Sequence, residues 1–240
     1  MLNRIKIIQR LIKTTGTRNY LEIGVNNGAC FLRLKASNKF AVDPSFKIAP
    51  GRKLKYFIKN PANVNNRYFE QTSDDFFASQ KEFLQNNRPG VVFVDGLHTY
   101  EQSLRDVMNS LSFLDDNGVI LMHDCNPLSE IAAYPAESID HAKATLNGYH
   151  GIWNGDVWKA IVHMRSLMPE LDVFVLDCDH GIGVVRKRPS TDQLNFSGRE
   201  IRQLSYEDLD RNRTSFLNLK SPDHFEAFID QLAEEAVAKV

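Results

Sequence analysis

The segment Leu21-Glu-Ile-Gly-Val-Asn-Asn-Gly28 joins the end of an apolar strand to the start of a helix. A glycine turn in this context lets a ligand approach bare backbone at a helix N-terminus. The turn is not the G-x-G-x-x-G dinucleotide fingerprint, because Asn26 stands where the second glycine belongs. Asp43 ends the next apolar run, where a carboxylate can accept hydrogen bonds from both hydroxyls of a ribose. These residues indicate an adenosine ligand and disfavour NAD; a tight turn without a ligand is the alternative.

Short apolar runs alternate with amphipathic stretches around this turn, from residue 17 to residue 124. This rhythm is typical of βαβ units in a parallel sheet that is buried on both faces. It predicts strands at 20–23, 39–42, 68–70, 90–94 and 118–122. Two later apolar runs, 171–176 and 182–185, are close enough to form a hairpin, which predicts an antiparallel strand at the end of the sheet.

Helices are predicted where apolar residues recur at steps of three and four. One follows the fourth strand, with a capping-box pattern at Thr99 and Gln102. Another begins near Asp156 and ends before Pro169, and a tail helix follows Ser221-Pro222. The apolar face of the helix after Asp156 is predicted to contain Val157, Ala160, Ile161, Met164 and Leu167. Weak periodicity over 125–155 predicts a long loop at the functional edge of the sheet.

Composition limits the classes of function. The 29 Lys and Arg nearly cancel the 30 Asp and Glu, and a net charge of -1 predicts no general attraction to nucleic acid or to an anionic membrane. No apolar run approaches the length that crosses a bilayer. The N-terminal stretch 1–13, which is rich in Lys and Arg, is predicted to be a helix that caps the domain and not a targeting peptide. Three cysteines without a CxxC pair predict a reducing, cytoplasmic setting.

Further motifs follow the glycine turn in order: Val42-Asp-Pro44, Ser73-Asp-Asp-Phe-Phe77, Val94-Asp-Gly-Leu-His-Thr-Tyr100 and Met122-His-Asp-Cys-Asn-Pro127. Together they resemble a class I S-adenosylmethionine-dependent methyltransferase of the bacterial group with D-G-x-H-x-Y and H-D motifs, similar to metal-dependent small-molecule O-methyltransferases. The resemblance continues through Gly155-Asp-Val-Trp-Lys159 and Asp179-His-Gly-Ile-Gly183 into the tail.

The resemblance implies a Rossmann-like α/β fold. Its seven-stranded sheet has an antiparallel last strand and helices on both faces, with a helical C-terminal extension. One methyltransferase domain would cover residues 1–240, with an N-terminal helix over 1–16, a Rossmann-like core over 17–188 and a helical tail over 189–240.

The same resemblance implies the residues that bind the cofactor. Glu22 and the backbone of the turn at Gly24, Asn26 and Gly28 would hold the methionine end of S-adenosylmethionine, and Asp43 the ribose. Asp74 would lie near the adenine amino group, or cap the helix that begins there. Asp95 has two candidate roles, as a contact to the cofactor amine or as a metal ligand.

Asp95 and Asp124 end the fourth and fifth predicted strands, so we expect both carboxylates at the ligand-binding edge of the sheet. Two adjacent carboxylates repel each other unless a cation or a proton intervenes. In similar enzymes acidic residues at these positions hold magnesium, which lowers the pKa of the acceptor hydroxyl. Cys125 replaces the following Asn ligand, and His123 as a third ligand would favour manganese, iron or zinc over magnesium.

His98 is the predicted general base, because a neutral imidazole can accept a proton from an acceptor hydroxyl. His123 is the second candidate. The alternative for each is a structural hydrogen bond. An acceptor pocket could be lined by Trp153, Trp158 and Lys159, although Trp158 also fits a core position. Ordinary surface or loop roles are expected for His141, His150 and His180.

The predicted function is S-adenosylmethionine-dependent O-methylation of a small-molecule hydroxyl on a sugar or natural product, with Mg or Mn as the candidate metal. The alternatives are a non-catalytic protein that binds an adenosine ligand, and a metal-dependent hydrolase. The predicted partner is the small-molecule acceptor, with no nucleic acid and no membrane. The amphipathic terminal helices leave both a homodimer and a monomer open.

Overall fold

The computed structural model describes residues 1–149 and 151–237, and within them the chain has an α/β fold with helices around a mixed sheet. The strands are β1 (Asn19–Ile23), β2 (Asn38–Asp43), β3 (Asn66–Glu70), β4 (Val91–Val94), β5 (Val119–Met122), β6 (Leu171–Leu176), β7 (Ile182–Lys187) and β8 (Leu219–Lys220). Their order across the sheet is β3-β2-β1-β4-β5-β7-β6-β8. The predicted parallel strands and the hairpin are thus confirmed.

Ten α-helices lie in the described part of the chain. They are α1 (Arg4–Thr15), α2 (Pro50–Lys59), α3 (Ser73–Ser79), α4 (Lys81–Asn86), α5 (Tyr100–Phe113), α6 (Ile139–Thr145), α7 (Trp158–Leu167), α8 (Gly198–Gln203), α9 (Tyr206–Leu217) and α10 (His224–Val237). Short 3₁₀ helices cover Phe31–Arg33 and Pro61–Asn65. None of the described helices is both long and apolar enough to cross a bilayer.

The chain divides into two compact units that interleave in sequence. The first unit contains residues 1–96, 106–121 and 226–237; the second contains 97–105, 122–149 and 151–225. The single-domain organisation stays a prediction.

Parallel pairing in the first unit aligns the ends of three strands. β1 pairs in parallel with β2 and β4, and Ile23 is in register with both Val42 and Val94. The next residues, Gly24, Asp43 and Asp95, therefore lie at the carboxyl ends of neighbouring strands. Ligands of open α/β sheets bind at this edge.

The N-terminal helix α1 is held by burial and by caps at both ends. Its apolar face, Ile7, Ile8, Leu11 and Ile12, is almost fully buried, and each such side chain contributes about 1.5–3 kcal/mol. The side chain of Asn3 accepts a hydrogen bond from the N–H of Lys6, and Gly16 ends the helix in the left-handed conformation. The prediction of an N-terminal helix is confirmed.

In the second unit β6 and β7 form the antiparallel hairpin, and β8 pairs in parallel with β6. The predicted methyltransferase-like sheet with an antiparallel strand is confirmed, and only the count of seven strands differs: the two-residue strand β8 is an eighth and lies beyond β6. Its pairs are Val175 with Leu219 and Leu176 with Lys220. A two-residue run has no periodicity that a sequence pattern could reveal.

Three local predictions need correction. The region 125–155 is not only loop, because Ser138 caps α6 by accepting a hydrogen bond from the N–H of His141. Leu167, assigned to the buried face of α7, is 45% exposed. Ser221 is predicted to cap the tail helix with Pro222 in its first turn, but α10 begins at His224, two residues after Pro222.

Candidate active site

The glycine turn of the first unit has backbone conformations that favour glycine. Gly24 and Gly28 have φ values of +84° and +72°, and Asn26 lies in the left-handed region at 49°. A Cβ atom on Gly24 would overlap the main-chain carbonyl of Asp95. The glycine at this position is therefore required by the close approach of the backbone that follows β4.

Asp43 fastens this turn from the end of the neighbouring strand. One carboxylate oxygen accepts a hydrogen bond from the N–H of Asn26 at 2.7 Å, and the other accepts from the N–H of Ser45 at 2.8 Å. The side chain is buried. Each oxygen retains a lone pair, so Asp43 can hold the turn and still accept hydrogen bonds from ligand hydroxyls.

Glu22 is buried behind the turn. The hydroxyl of Tyr20 donates to its Oε2 at 2.5 Å, and burial raises the pKa of Glu22 to about 8. Lys39 is also buried, and its ammonium donates to the carbonyls of Phe31 and Leu34. Burial lowers the pKa of Lys39 to about 8. The sequence pattern did not identify Tyr20 and Lys39 as neighbours of this carboxyl.

Asp95 pairs with a residue that the sequence analysis missed. Nη1 of Arg4, in the first turn of α1, lies 3.3 Å from its Oδ2. Asp74 lies in the first turn of α3 and not at the tip of β3, which ends at Glu70. The alternative role of Asp74 as a helix cap is wrong, because the side chain of Thr72 accepts the N–H of Asp75.

His98 begins the group of polar residues in the second unit. Its Nδ1 lies 2.9 Å from the main-chain oxygen of Trp153 and 3.2 Å from Oδ2 of Asp124. A carbonyl oxygen can only accept, so Nδ1 carries the proton and the neutral ring has its lone pair on Nε2. The ring stacks on Trp153 with 5.2 Å between centroids. Gly155, at φ 63°, allows the chain to pass against the carbonyl of His98.

Asp124 is the centre of this group. It is buried, it has φ of 62°, and its Oδ1 accepts a hydrogen bond from Nδ2 of Asn154 at 2.5 Å. Nδ1 of His123 lies 3.0 Å from Oδ2 of Asp124. Of these neighbours the sequence analysis named His98 and His123, and it missed Asn154.

The turn between β6 and β7 supports the segment that carries Asp124. The N–H of Cys125 donates to the carbonyl of Gly181, and the N–H of Asn126 donates to that of His180. Nε2 of His123 lies 3.7 Å from Oδ1 of Asp179. His180, expected to have an ordinary surface role, packs its ring 5.9 Å from that of His123. The motif Asp179-His-Gly was the available sequence signal.

The side chains after Asp124 have structural partners. Cys125 is buried with its Sγ near the carbonyls of Met122 and His123. Asn126 donates to Asp177 and accepts a hydrogen bond from Arg213. His141 accepts a hydrogen bond from the N–H of Glu137, and His150 lies outside the described residues.

A cavity of about 260 Å³ lies within the second unit. Its lining includes Tyr134, Asp156, Trp158, Lys159, Ser205 and Tyr206. Oδ1 of Asp156 accepts the N–H of Tyr100 at 2.7 Å, and its other oxygen lies 3.9 Å from the ammonium of Lys159. Burial raises the pKa of Asp156 and lowers that of Lys159. Trp158 is 1% exposed, so it belongs to the core as well as to the cavity wall.

Comparison with known proteins identifies the enzyme class. Residues 21–125 match the family model described as a methyltransferase domain. The chain contains a methyltransferase domain. No curated protein matches the sequence of this methyltransferase.

Solved structures share the fold of the methyltransferase. A cofactor-bound protein from MTB, Rv0187, has a TM-score of 0.56 and 12% identity over 79% of this chain and 83% of that one. An O-methyltransferase from Bacillus cereus in complex with SAH has a TM-score of 0.52 and 15% identity over 77% and 80%. The O-methyltransferase TomG from Streptomyces achromogenes, in complex with SAM, has a TM-score of 0.53 and 11% identity over 77% and 79%.

Proposed function

We propose that this methyltransferase transfers the methyl group of S-adenosylmethionine to a hydroxyl of a small molecule, a sugar or a natural product. The main observation behind this proposal is the glycine turn. The turn lies against the carbonyl of Asp95, and Asp43 holds it by a hydrogen bond. It follows the end of β1, Gly24 and Gly28 have positive φ within it, and Gly24 lies directly against the main-chain carbonyl of Asp95. The complexes of the similar O-methyltransferases with SAM and SAH support the same donor.

The residues of the first unit fit this cofactor. Main-chain groups at Gly24, Asn26 and Gly28 and the carboxyl of Glu22 would hold the methionine end. The remaining lone pairs of Asp43 would accept the ribose hydroxyls. Asp74 stays a candidate for the adenine amino group, and Asp95 for the cofactor amine.

When bound, the cofactor supplies an electrophilic methyl group on a sulfonium. In the transfer of that methyl group, Nε2 of His98 would accept the proton that the acceptor hydroxyl loses. The buried carboxylate of Asp124 stabilises the resulting imidazolium through Nδ1, which lies 3.2 Å from its Oδ2. His123 is the second candidate for the base, because it contacts the same carboxylate at 3.0 Å.

A divalent metal, magnesium or manganese, is the second part of the proposal. Its candidate ligands are Asp95, the residue after β4, and Asp124, two residues beyond β5. Carboxylates are the ligands that both ions prefer. Arg4 already supplies a positive charge 3.3 Å from Asp95, so a metal ligated by Asp95 would have to compete with this ion pair.

We assign the acceptor to the cavity of the second unit. Tyr134 and Tyr206 offer aromatic faces, whereas Asp156 and Lys159 offer an acceptor and a donor whose charges compensate each other. Glu130 also lines the cavity and adds a further acceptor, so the lining suits a molecule rich in hydroxyls. The volume of about 260 Å³ is slightly below the ordinary range for drug-sized ligands, about 300–1,000 Å³, which suits a single sugar ring.

Three free cysteines, of which Cys30 and Cys125 are buried, agree with the proposed cytoplasmic setting. A homodimer remains part of the proposal, to be tested by light scattering.

The first test is calorimetric titration of S-adenosylmethionine and S-adenosylhomocysteine into the purified protein, with EDTA and then with magnesium or manganese. Binding followed by methylation of hydroxyl acceptors supports the proposal. Binding without turnover on any acceptor would instead favour a non-catalytic adenosine-ligand protein. Absence of binding together with metal-dependent ester or phosphate hydrolysis would favour the hydrolase alternative.

A further inference from the structure

Helix α2 turns its apolar side chains toward solvent. None of its ten residues is buried. Leu54, Phe57 and Ile58 are spaced i, i+3 and i+4 and so share one face, with exposed fractions of 62%, 52% and 72%. Val64, in the following 3₁₀ helix, is 65% exposed. An outward apolar face of this kind marks an interaction surface.

Positive charge is concentrated around the same helix. The basic segment, defined as residues 44–69, contains six Lys and Arg and no Asp or Glu. The rest of the chain contains 23 Lys and Arg against all 30 Asp and Glu, so the net charge of -1 conceals a local excess of +6. Lys47, Lys55 and Lys59 are exposed. The expectation of no attraction to an anionic surface rested on total charge and did not consider this segment separately.

Polar contacts fix the orientation of α2. Nη1 of Arg52 donates to Oδ1 of Asn27 at 2.9 Å, and the ammonium of Lys53 lies 4.2 Å from the ring centroid of Tyr68. Nε of Arg33 donates to the hydroxyl of Tyr56 at 2.9 Å. These contacts anchor the helix through residues other than Leu54, Phe57 and Ile58, so the apolar face remains directed outward.

We propose that α2 docks on an anionic lipid surface. Leu54, Phe57 and Ile58 would enter the boundary between headgroups and acyl chains, and Lys55 and Lys59 would contact the anionic headgroups. A second copy bound through the same face would bring two segments of charge +6 together, which electrostatic repulsion opposes. An anionic lipid surface offers an apolar interior to the three apolar side chains and negative charge to the lysines.

The test is cosedimentation of the full chain with phosphatidylcholine vesicles that contain about a third phosphatidylglycerol, beside vesicles of phosphatidylcholine alone. We expect binding to the anionic vesicles only, weakened by added salt. The triple substitution Leu54→Ser, Phe57→Ser, Ile58→Ser should reduce the bound fraction at least about tenfold with Tm unchanged, since these side chains are exposed in the free protein. The pair Lys55→Gln, Lys59→Gln should weaken binding and its salt dependence.

A matched control is the triple substitution Leu128→Ser, Ile139→Ser, Leu167→Ser, which removes apolar side chains that are 75%, 45% and 45% exposed elsewhere. It should bind as the unaltered protein does. Equal binding to both vesicle types, no binding, or full binding by the α2 triple variant overturns the proposal. A dimer in light scattering that the α2 substitutions abolish would identify a protein interface and also overturn it.

Discussion

Nδ1 of His98 lies 3.2 Å from Oδ2 of Asp124, and the same nitrogen lies 2.9 Å from the main-chain oxygen of Trp153. Two acceptors on one nitrogen fix both the tautomer and the plane of the ring. Nδ2 of Asn154 donates a hydrogen bond to the other carboxylate oxygen of Asp124. The imidazole is therefore oriented before any ligand arrives, as a general base requires.

Replacement of His98 tests this role directly. We expect His98→Gln to lower kcat by about 10²–10⁴ fold, the ordinary contribution of a general base. The affinity for S-adenosylmethionine, measured by calorimetry, should change little. His141→Gln, at an exposed position on α6, is the matched control and should leave kcat unchanged. Full activity of the His98 variant would assign the base to His123 instead.

Gly24 should not tolerate a side chain. In Gly24→Ala the new Cβ overlaps the carbonyl of Asp95 at a φ of +84°, so we expect a fall in Tm of many degrees and loss of cofactor binding. Gly51→Ala is the control, because a Cβ there meets no atom within 4 Å and the residue lies in α2. That variant should be stabilised by about 0.5–1 kcal/mol. Thermal unfolding by circular dichroism measures both, and an unchanged Tm for Gly24→Ala would contradict the prediction.

Stability should depend on pH through Glu22. Its pKa is raised from about 4.5 to about 8 by burial, so the folded chain binds more protons than the unfolded chain between these values. The stabilising contribution is complete below about pH 4.5 and is lost as pH rises toward 8. We expect the free energy of unfolding in urea to fall from pH 5 to 8, and Glu22→Gln to remove that slope. Above pH 8 the lowered pKa of Lys39 acts in the opposite direction.

The ion pair between Arg4 and Asp95 offers a test of the metal. If Asp95 is a ligand, Arg4→Met should raise the apparent affinity for manganese, because a competing positive charge 3.3 Å away has been removed. Asp124→Asn should lower it. Calorimetric titration of manganese into each variant measures the change. Turnover that is indifferent to EDTA, with no change in either variant, would exclude a metal at these residues.

If the acceptor binds in the cavity of the second unit, a change in the cavity wall should alter the KM for the acceptor and leave kcat unchanged. Tyr206→Ala removes one aromatic wall, and we expect the KM for the acceptor to rise about tenfold while the Kd for S-adenosylmethionine is unchanged. Tyr56→Ala, which removes a tyrosine outside the cavity lining, is the control. An unaltered KM in the Tyr206 variant would place the acceptor elsewhere.

The parallel strands, the hairpin and the glycine turn could be predicted from the sequence alone. Each depends on a local property. The strands follow from alternating apolar runs, the hairpin from a short connection, and the turn from a backbone that cannot accept a Cβ. Gly24 and Asp43 could be predicted because each follows a strand whose end is visible in the pattern. The methyltransferase class followed from the order of such motifs along the chain.

The partners of the polar side chains could not be predicted and are known only from the folded chain. Arg4 and Asp95 are 91 residues apart in the chain, His98 and Trp153 are 55 apart, and Asp124 and Asn154 are 30 apart. The capping-box pattern at Thr99 did not reveal that Asp156 accepts the N–H of Tyr100. No local periodicity encodes such pairs, because they form only when packing brings distant loops together and each buried polar group takes the partner within reach. Nor could periodicity show which face of α2 points outward, since that depends on what the rest of the fold leaves uncovered.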